Sequence, residues 1–161
     1  MEKIYIICVE DQPEVLESIA KDLQTFEPAF QLEECSSAQE ATELLDEIDM
    51  EGDYVGLIVS DHVMPGETGV DFLIKVHQDR RFRNTRKLLL TGLATHQDTI
   101  NAINNADIDR FIEKPWDKEV LINYAKNLLT AFILDQGIDY EPYLPYLDKQ
   151  LLFSKLRKGG Y

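Results

Sequence analysis

Glu10, Asp11, Asp61, Thr91 and Lys114 each stand at or just past the end of a short apolar run. Ile4–Val9 leads into Glu10-Asp11, Leu57-Ile58-Val59-Ser60 into Asp61, a leucine run into Thr91-Gly92, and Phe111-Ile112-Glu113 into Lys114-Pro115. In open α/β sheets the carboxyl ends of parallel strands form the edge where ligands bind, so these five polar side chains would converge on one edge. Three carboxylates gathered there repel one another and raise each other's pKa unless cations intervene. A lysine ammonium is one such cation and a divalent metal is another. Hard oxygen ligands, few in number and leaving positions for water, favour Mg²⁺ over Zn²⁺.

The elements that must hold these residues follow from the same runs. Short, β-branched apolar stretches closed by Gly or Pro read as buried strands of a parallel sheet. They fall at residues 4–9, 30–35, 55–60, 87–91 and 110–113. Helical patterns alternate with them. Val15, Leu16, Ile19, Ala20, Leu23 and Phe26 recur at helical spacing after Pro13, which suits a first turn capped by Asp11 or Gln12, and they stop before Pro28. Ser37 with Glu40 forms a capping box ahead of Ala41, Leu44, Leu45 and Ile48. Phe72, Leu73 and Val76 mark a third helix, with 79–86 as a polar exit loop. Thr95 with Asp98 can cap a fourth helix running through Ile100 and Ile103. A last helix spans about 118–134, with Val120, Leu121, Tyr124, Leu128 and Phe132 as its stripe and Gly137 as its stop. Five β-α units predict a doubly wound, five-stranded parallel sheet of flavodoxin-like (βα)5 type, covered by helices on both faces.

This unit occupies residues 1–134, and 135–161 form an extension. Tyr140, Pro142, Tyr143, Pro145 and Tyr146 suggest an extended aromatic-proline segment. A short amphipathic helix follows through Leu151, Leu152 and Leu156, with a basic end at Lys155, Arg157 and Lys158. The extension reads either as a cap over apolar surface or as an arm exchanged between subunits or docked on a partner.

The chain has 161 residues, 44% hydrophobic and 29% charged, enough for one domain with a sizeable core. Its net charge of −14 repels phosphate backbones and argues against a nucleic-acid-binding face. Cys8 and Cys35 fall within strand runs, without metal-ligand or disulfide-framework spacing, and predict buried, reduced thiols. There is no signal-peptide pattern and no apolar stretch long enough to span a bilayer, so the expected location is cytoplasmic, away from membranes.

The Glu10-Asp11 pair, SDHVMPGETG around Asp61, LLLTG with Thr91, and FIEKPW with Phe111, Lys114 and Pro115 together resemble the CheY-like receiver domain of two-component response regulators. Each motif alone is weak, but four in order at strand ends are specific. The resemblance implies that Asp61 is the phosphoacceptor for a sensor histidine kinase, a histidine phosphotransfer protein or a small phosphodonor. It further implies Mg²⁺ held by Glu10, Asp11, Asp61 and the backbone carbonyl of Val63. Lys114 and Thr91 would contact the phosphoryl group, and Thr91 and Phe111 would form the switch. Such a domain modifies itself and turns over no substrate. Its output would be a protein-protein surface, with homodimerisation through the fourth helix, fifth strand and fifth helix or through the tail.

Two departures from the usual pattern matter. Glu10 replaces the more frequent Asp with a longer arm, and Phe111 lacks a hydroxyl. Val63 and Leu93, each two residues past a motif residue, are apolar where family members influence an attacking water, which predicts slow hydrolysis of the phospho-aspartate.

Taken singly, Asp61 reads as a cap or turn residue, Lys114 as a solvated lysine, and Phe111 equally as core or switch. His62 is expected to point away from Asp61, His77 and His96 to lie on the surface, and Trp116 to pack at the start of the last helix. A different class, a haloacid-dehalogenase-type phosphatase, needs a second Asp where Val63 stands. A flavodoxin-like cofactor binder needs a phosphate-cradling loop where Glu10 and Asp11 stand. The chain reads as a receiver without an output domain of its own, or as a fragment of a longer multidomain regulator.

Overall fold

The computed structural model describes residues 1–92 and 96–159, apart from the side chains at 96, 98, 99, 102 and 103. The elements in chain order are β1 (Ile4–Val9), α1 (Pro13–Leu23), β2 (Gln31–Cys35), α2 (Ala38–Met50), β3 (Tyr54–Asp61), α3 (Gly69–Gln78), β4 (Arg86–Thr91), α4 (His96–Asn101), β5 (Arg110–Glu113), α5 (Lys118–Gln136) and α6 (Lys149–Gly159). The five strands are all parallel and ordered β2-β1-β3-β4-β5. Chain direction across the sheet reverses between β1 and β3, the crevice where such sheets take their ligands.

Alternation along the buried strands builds two apolar layers. Ile4, Ile6 and Cys8 of β1, Leu57 and Val59 of β3, and Leu88 and Leu90 of β4 face α1 and α5. Ile7, Val9, Ile58 and Leu89 face α2 and α3. Cys8 and Cys35 therefore lie in opposite layers, both buried and free. Burial pushes both thiols up, Cys35 to about 12, so both stay protonated at neutral pH.

Local sequence fixes the helix ends. The Ser37 and Thr68 hydroxyls accept the Glu40 and Asp71 N–H groups, and Asp117 accepts those of Glu119 and Val120. Gly137 closes α5 at φ +76°, a conformation open to glycine. At α1 the cap position is held by Gln12, one of the two residues expected there, but its side chain makes no capping bond; its own N–H donates to the Glu10 carboxylate at 3.2 Å. The exit loop of α3 contains a 3₁₀ turn, Arg80–Phe82, that buries Phe82. α4 is only six residues long and passes into a π turn, Ala102–Ala106, where a continuous helix through Ile103 was expected. The Thr95 cap, the Leu93 position and the side chains of His96, Asp98 and Ile103 lie outside the described residues.

The aromatic-proline segment is not extended. Glu141–Tyr146 coils as a 3₁₀ helix, which the fixed proline φ permits as readily as extended chain. Tyr143 packs on Phe30 at 5.2 Å between ring centroids, and Leu147 and Leu152 enter the layer that holds α1 and α5. Asp148 secures the junction. Its N–H donates to Thr130 Oγ1 at 2.9 Å, and its carboxylate accepts the Leu151 N–H and the Asn127 amide.

Candidate functional site

β1 delivers Glu10 and Asp11, β3 delivers Asp61, β4 delivers Thr91, and the chain leaving β5 delivers Lys114, all to the carboxyl edge of the sheet. A carboxylate oxygen from each of Glu10, Asp11 and Asp61 lies within 4.8 Å of the others. Asp11, Gln12, Asp61, Val63, Met64, Pro65, Gly92 and Lys114 line the open cleft above them. A Cβ at Gly92 would meet nothing within 4 Å, so the space beside Asp61 is clear on that side.

Lys114 is the only described cation in ion-pair contact with the acidic cluster. Its Nζ lies 2.7 Å from Glu10 Oε1 and 2.8 Å from Asp61 Oδ1. The Lys114 N–H donates to the Thr91 carbonyl at 2.8 Å, and the Lys114–Pro115 peptide is cis. Burial, the strongest influence on Glu10, lifts its carboxyl above the usual range. Bonds from Lys114 and the Gln12 N–H oppose this, and the Asp61 and Asp11 carboxylates add to it. Burial also works against the Lys114 ammonium, but its bonds to Asp61 and Glu10 outweigh that and hold its pKa above the usual value. One lysine thus pairs with two of three clustered carboxylates, Glu10 and Asp61, which leaves negative charge for a divalent cation to balance.

Thr91 is 2% exposed, and among the described residues its Oγ1 has no hydrogen-bond partner. A buried hydroxyl without a partner is costly, and here it stands at the adjoining strand end to Asp61, free to donate to an incoming oxygen.

Other residues fall as follows. Val63 lines the cleft with its side chain 73% exposed. Phe111 lies on edge strand β5, 43% exposed, so it is not core in this structure. Ile100 and Val120 are also exposed apolar residues, on α4 and α5. His77 is exposed, and His62 is half-buried, its backbone bonded to Leu90 and Gly69. The Trp116 indole donates to Asp22 at 2.8 Å, tying the start of α5 to α1.

One site residue carries a role that the sequence reading did not assign. A Cβ at Gly69 would lie 1.9 Å from the Asp61 carbonyl oxygen, so only glycine lets α3 begin against the end of β3. The Gly69 N–H also donates to the His62 carbonyl at 2.8 Å. The signal was present in the sequence as the second glycine of the GETG stretch.

The arrangement defines an α/β domain with an acidic, lysine-bridged pocket at its topological switch point. A family model, the response regulator receiver domain, matches residues 6–126, and the chain belongs to that family, which works in two-component phosphorelay signalling. It is 30% identical over 128 residues to response regulator Rre1 of Synechocystis sp., covering 80% of this chain and 52% of that protein. It is 28% identical over 149 residues to the hydrogenase transcriptional regulatory protein HoxA of Bradyrhizobium diazoefficiens, covering 89% of this chain and 29% of that one. The chain thus spans about half of one relative and under a third of the other. Among solved structures, the signal receiver domain of an HD domain-containing protein from Pseudomonas fluorescens superposes with a TM-score of 0.73 at 25% identity, covering 85% of this chain and 94% of that one. Receiver domains generally bind Mg²⁺ at an acidic pocket, and Glu10, Asp11 and Asp61 form such a cluster here. Among the described residues no helix is long and apolar enough to cross a membrane.

Proposed function

We propose that Asp61 accepts a phosphoryl group from a phosphohistidine of a sensor kinase or phosphotransfer protein, or from a small phosphodonor. An Asp61 carboxylate oxygen attacks phosphorus, the bond from phosphorus to the donor atom breaks (nitrogen in phosphohistidine, nitrogen or oxygen in a small phosphodonor) with its electron pair leaving on that atom, and an acyl phosphate forms. The observation that carries this reading is the buried, unpartnered Thr91 hydroxyl beside the Lys114–Asp61 pair. A hydroxyl donor and an ammonium suit the charge that spreads over phosphoryl oxygens during transfer.

Glu10, Asp11, Asp61 and the Val63 carbonyl are the residues that would hold Mg²⁺, which when bound neutralises phosphoryl charge. Lys114 positions Asp61 and follows the phosphoryl oxygens, and Glu10 anchors Lys114. Thr91 moves toward the new phosphate, drawing Phe111 inward from its exposed position. That movement changes the face that carries Ile100, Phe111 and Val120, whose exposed apolar side chains suit a downstream protein partner. In this reading residues 1–134 are the signalling unit and 135–161 an extension packed on it. The protein modifies itself rather than a substrate, does so in the cytoplasm, and passes the signal to a separate protein or to an output domain joined to it. The exposed apolar Val63 supports slow hydrolysis; a phosphoryl lifetime of only seconds with Mg²⁺ would contradict that.

The test is intact-mass measurement after treatment with a small phosphodonor. A gain of one phosphoryl group is expected in the presence of Mg²⁺, absent with chelator and absent in Asp61→Ala. Equal gain in both proteins removes the reading.

A further inference from the structure

Two helices of this molecule each carry side-chain charge of one sign, α2 acidic and α6 basic, and several of those charges form no ion pair among the described residues. α2 contains Glu40, Glu43, Asp46, Glu47 and Asp49 and no basic residue. Asp46 and Asp49 are met by Arg81 at 2.9 and 3.7 Å, and Glu40 accepts from Ser36. Glu43 and Glu47 remain, one helical turn apart, both exposed and in no ion pair among the described residues. Like charges at that spacing on a helix repel one another. Exposed Glu33 and Glu34 on edge strand β2 extend the acidic surface, and Met50 at the end of α2 is 86% exposed.

α6 is the reverse. It contains Lys149, Lys155, Arg157 and Lys158 and no acidic residue, on a chain whose net charge is −14. Among the described residues none of these four forms an ion pair. Leu152 fixes the helix to the domain, while Phe153 points the other way and is 54% exposed.

The two surfaces do not meet within one molecule. α2 covers the layer containing Ile7 and Val9, and α6 joins the opposite layer through Leu152. We propose that α6 of one copy docks on the α2 and β2 edge of a second copy, pairing Lys155 and Arg157 with Glu43 and Glu47, with Phe153 and Met50 as the apolar contacts. Basic helix against acidic helix is the complementarity that selects a second copy, since each molecule carries both halves. The joined surfaces differ, so the contact is head-to-tail and leaves a free α2 and a free α6 at the ends, which permits further addition. It does not depend on Asp61 chemistry.

Sedimentation velocity of the full chain over a concentration series tests this. At about 0.1 M salt the screening length is about 10 Å, which damps the overall repulsion between acidic molecules but not close ion pairs. Mean mass is expected to rise with concentration there and to return to monomer at about 1 M salt, where screening reaches about 3 Å. Two double variants sharpen the test: Glu43→Lys with Glu47→Lys, and Lys155→Glu with Arg157→Glu, each checked for native circular dichroism. Each alone is expected to remain monomeric, and an equal mixture is expected to associate. The proposal is overturned by a wild type that stays monomeric at several hundred micromolar, by association that survives high salt, by either variant associating alone, or by a mixture that forms no complex.

Discussion

Lys114 Nζ lies 2.7 Å from Glu10 Oε1, joining residues 104 positions apart in the chain. Glu10 is almost completely buried, so the contact serves two purposes. It supplies the cation without which a buried carboxylate is strongly unfavourable, and it holds the ammonium against Asp61. The longer glutamate arm provides this reach, with Lys114 as the third point of a triangle closed by the two carboxylates.

Replacing Thr91 separates its structural and chemical roles. Thr91→Val removes a buried hydroxyl that has no partner, so the unmodified protein should keep its stability or gain about 1 kcal/mol. Modification of Asp61 is expected to shift Lys114, two residues from Trp116, and so to change Trp116 fluorescence; the valine variant should lose that change, which Thr91→Ser should retain. Urea unfolding together with Trp116 fluorescence measures both; a large loss of stability in the valine variant would show that the hydroxyl is satisfied.

Gly69→Ala places a methyl group where the Asp61 carbonyl oxygen stands, 1.9 Å away. The backbone of α3 must then move, losing the Gly69–His62 bond, at a cost of about 3 kcal/mol. Urea unfolding free energy is the measurement, and a loss below about 1 kcal/mol would contradict the close approach.

Ending the chain at Gly137 removes Tyr143, Leu147 and Leu152 from the core and uncovers Phe30. Full burial of one such side chain contributes about 1.5–3 kcal/mol, and ordering the tail offsets part of the sum, so a net loss of at least about 3 kcal/mol is expected. An unchanged denaturation midpoint would mean that the extension rests on the domain without supporting it.

Lys87 is 2% exposed, with its ammonium donating to the Thr85 carbonyl at 3.2 Å. Burial lowers its pKa, only partly countered by Asp109 and Asp107. Lys87→Met should raise stability near neutral pH by about 1 kcal/mol. Between the depressed folded value and the ordinary 10.5, the unfolded chain binds more protons than the folded one, so wild-type stability rises with pH in that window. The advantage of the methionine variant should therefore shrink as pH climbs toward 10.5 in paired urea titrations; a constant or widening gap would contradict the sign.

The strands and the acidic edge were legible because each apolar run is short and ends in a polar residue, so periodicity and position pointed the same way. Burial of Cys8 and Cys35 followed from the same runs. Other features depend on contacts between distant segments. The role of Gly69 comes from a carbonyl eight residues earlier, and the burial of Lys87 from its place within β4. The exposure of Phe111 reflects the edge position of β5, which an apolar residue type does not reveal. The 3₁₀ form of the tail was hidden because the proline φ suits extended chain and 3₁₀ turns alike.

The central claim concerns one carboxylate, and locating the acyl phosphate tests it most directly. Protein treated with a phosphodonor and Mg²⁺ is reduced with borohydride, which converts a phosphorylated aspartate to homoserine, and its peptides are then sequenced by mass spectrometry. The account predicts homoserine at position 61 in the wild type. Homoserine at Asp11 or another carboxylate, or none under conditions that modify a known receiver, would contradict it.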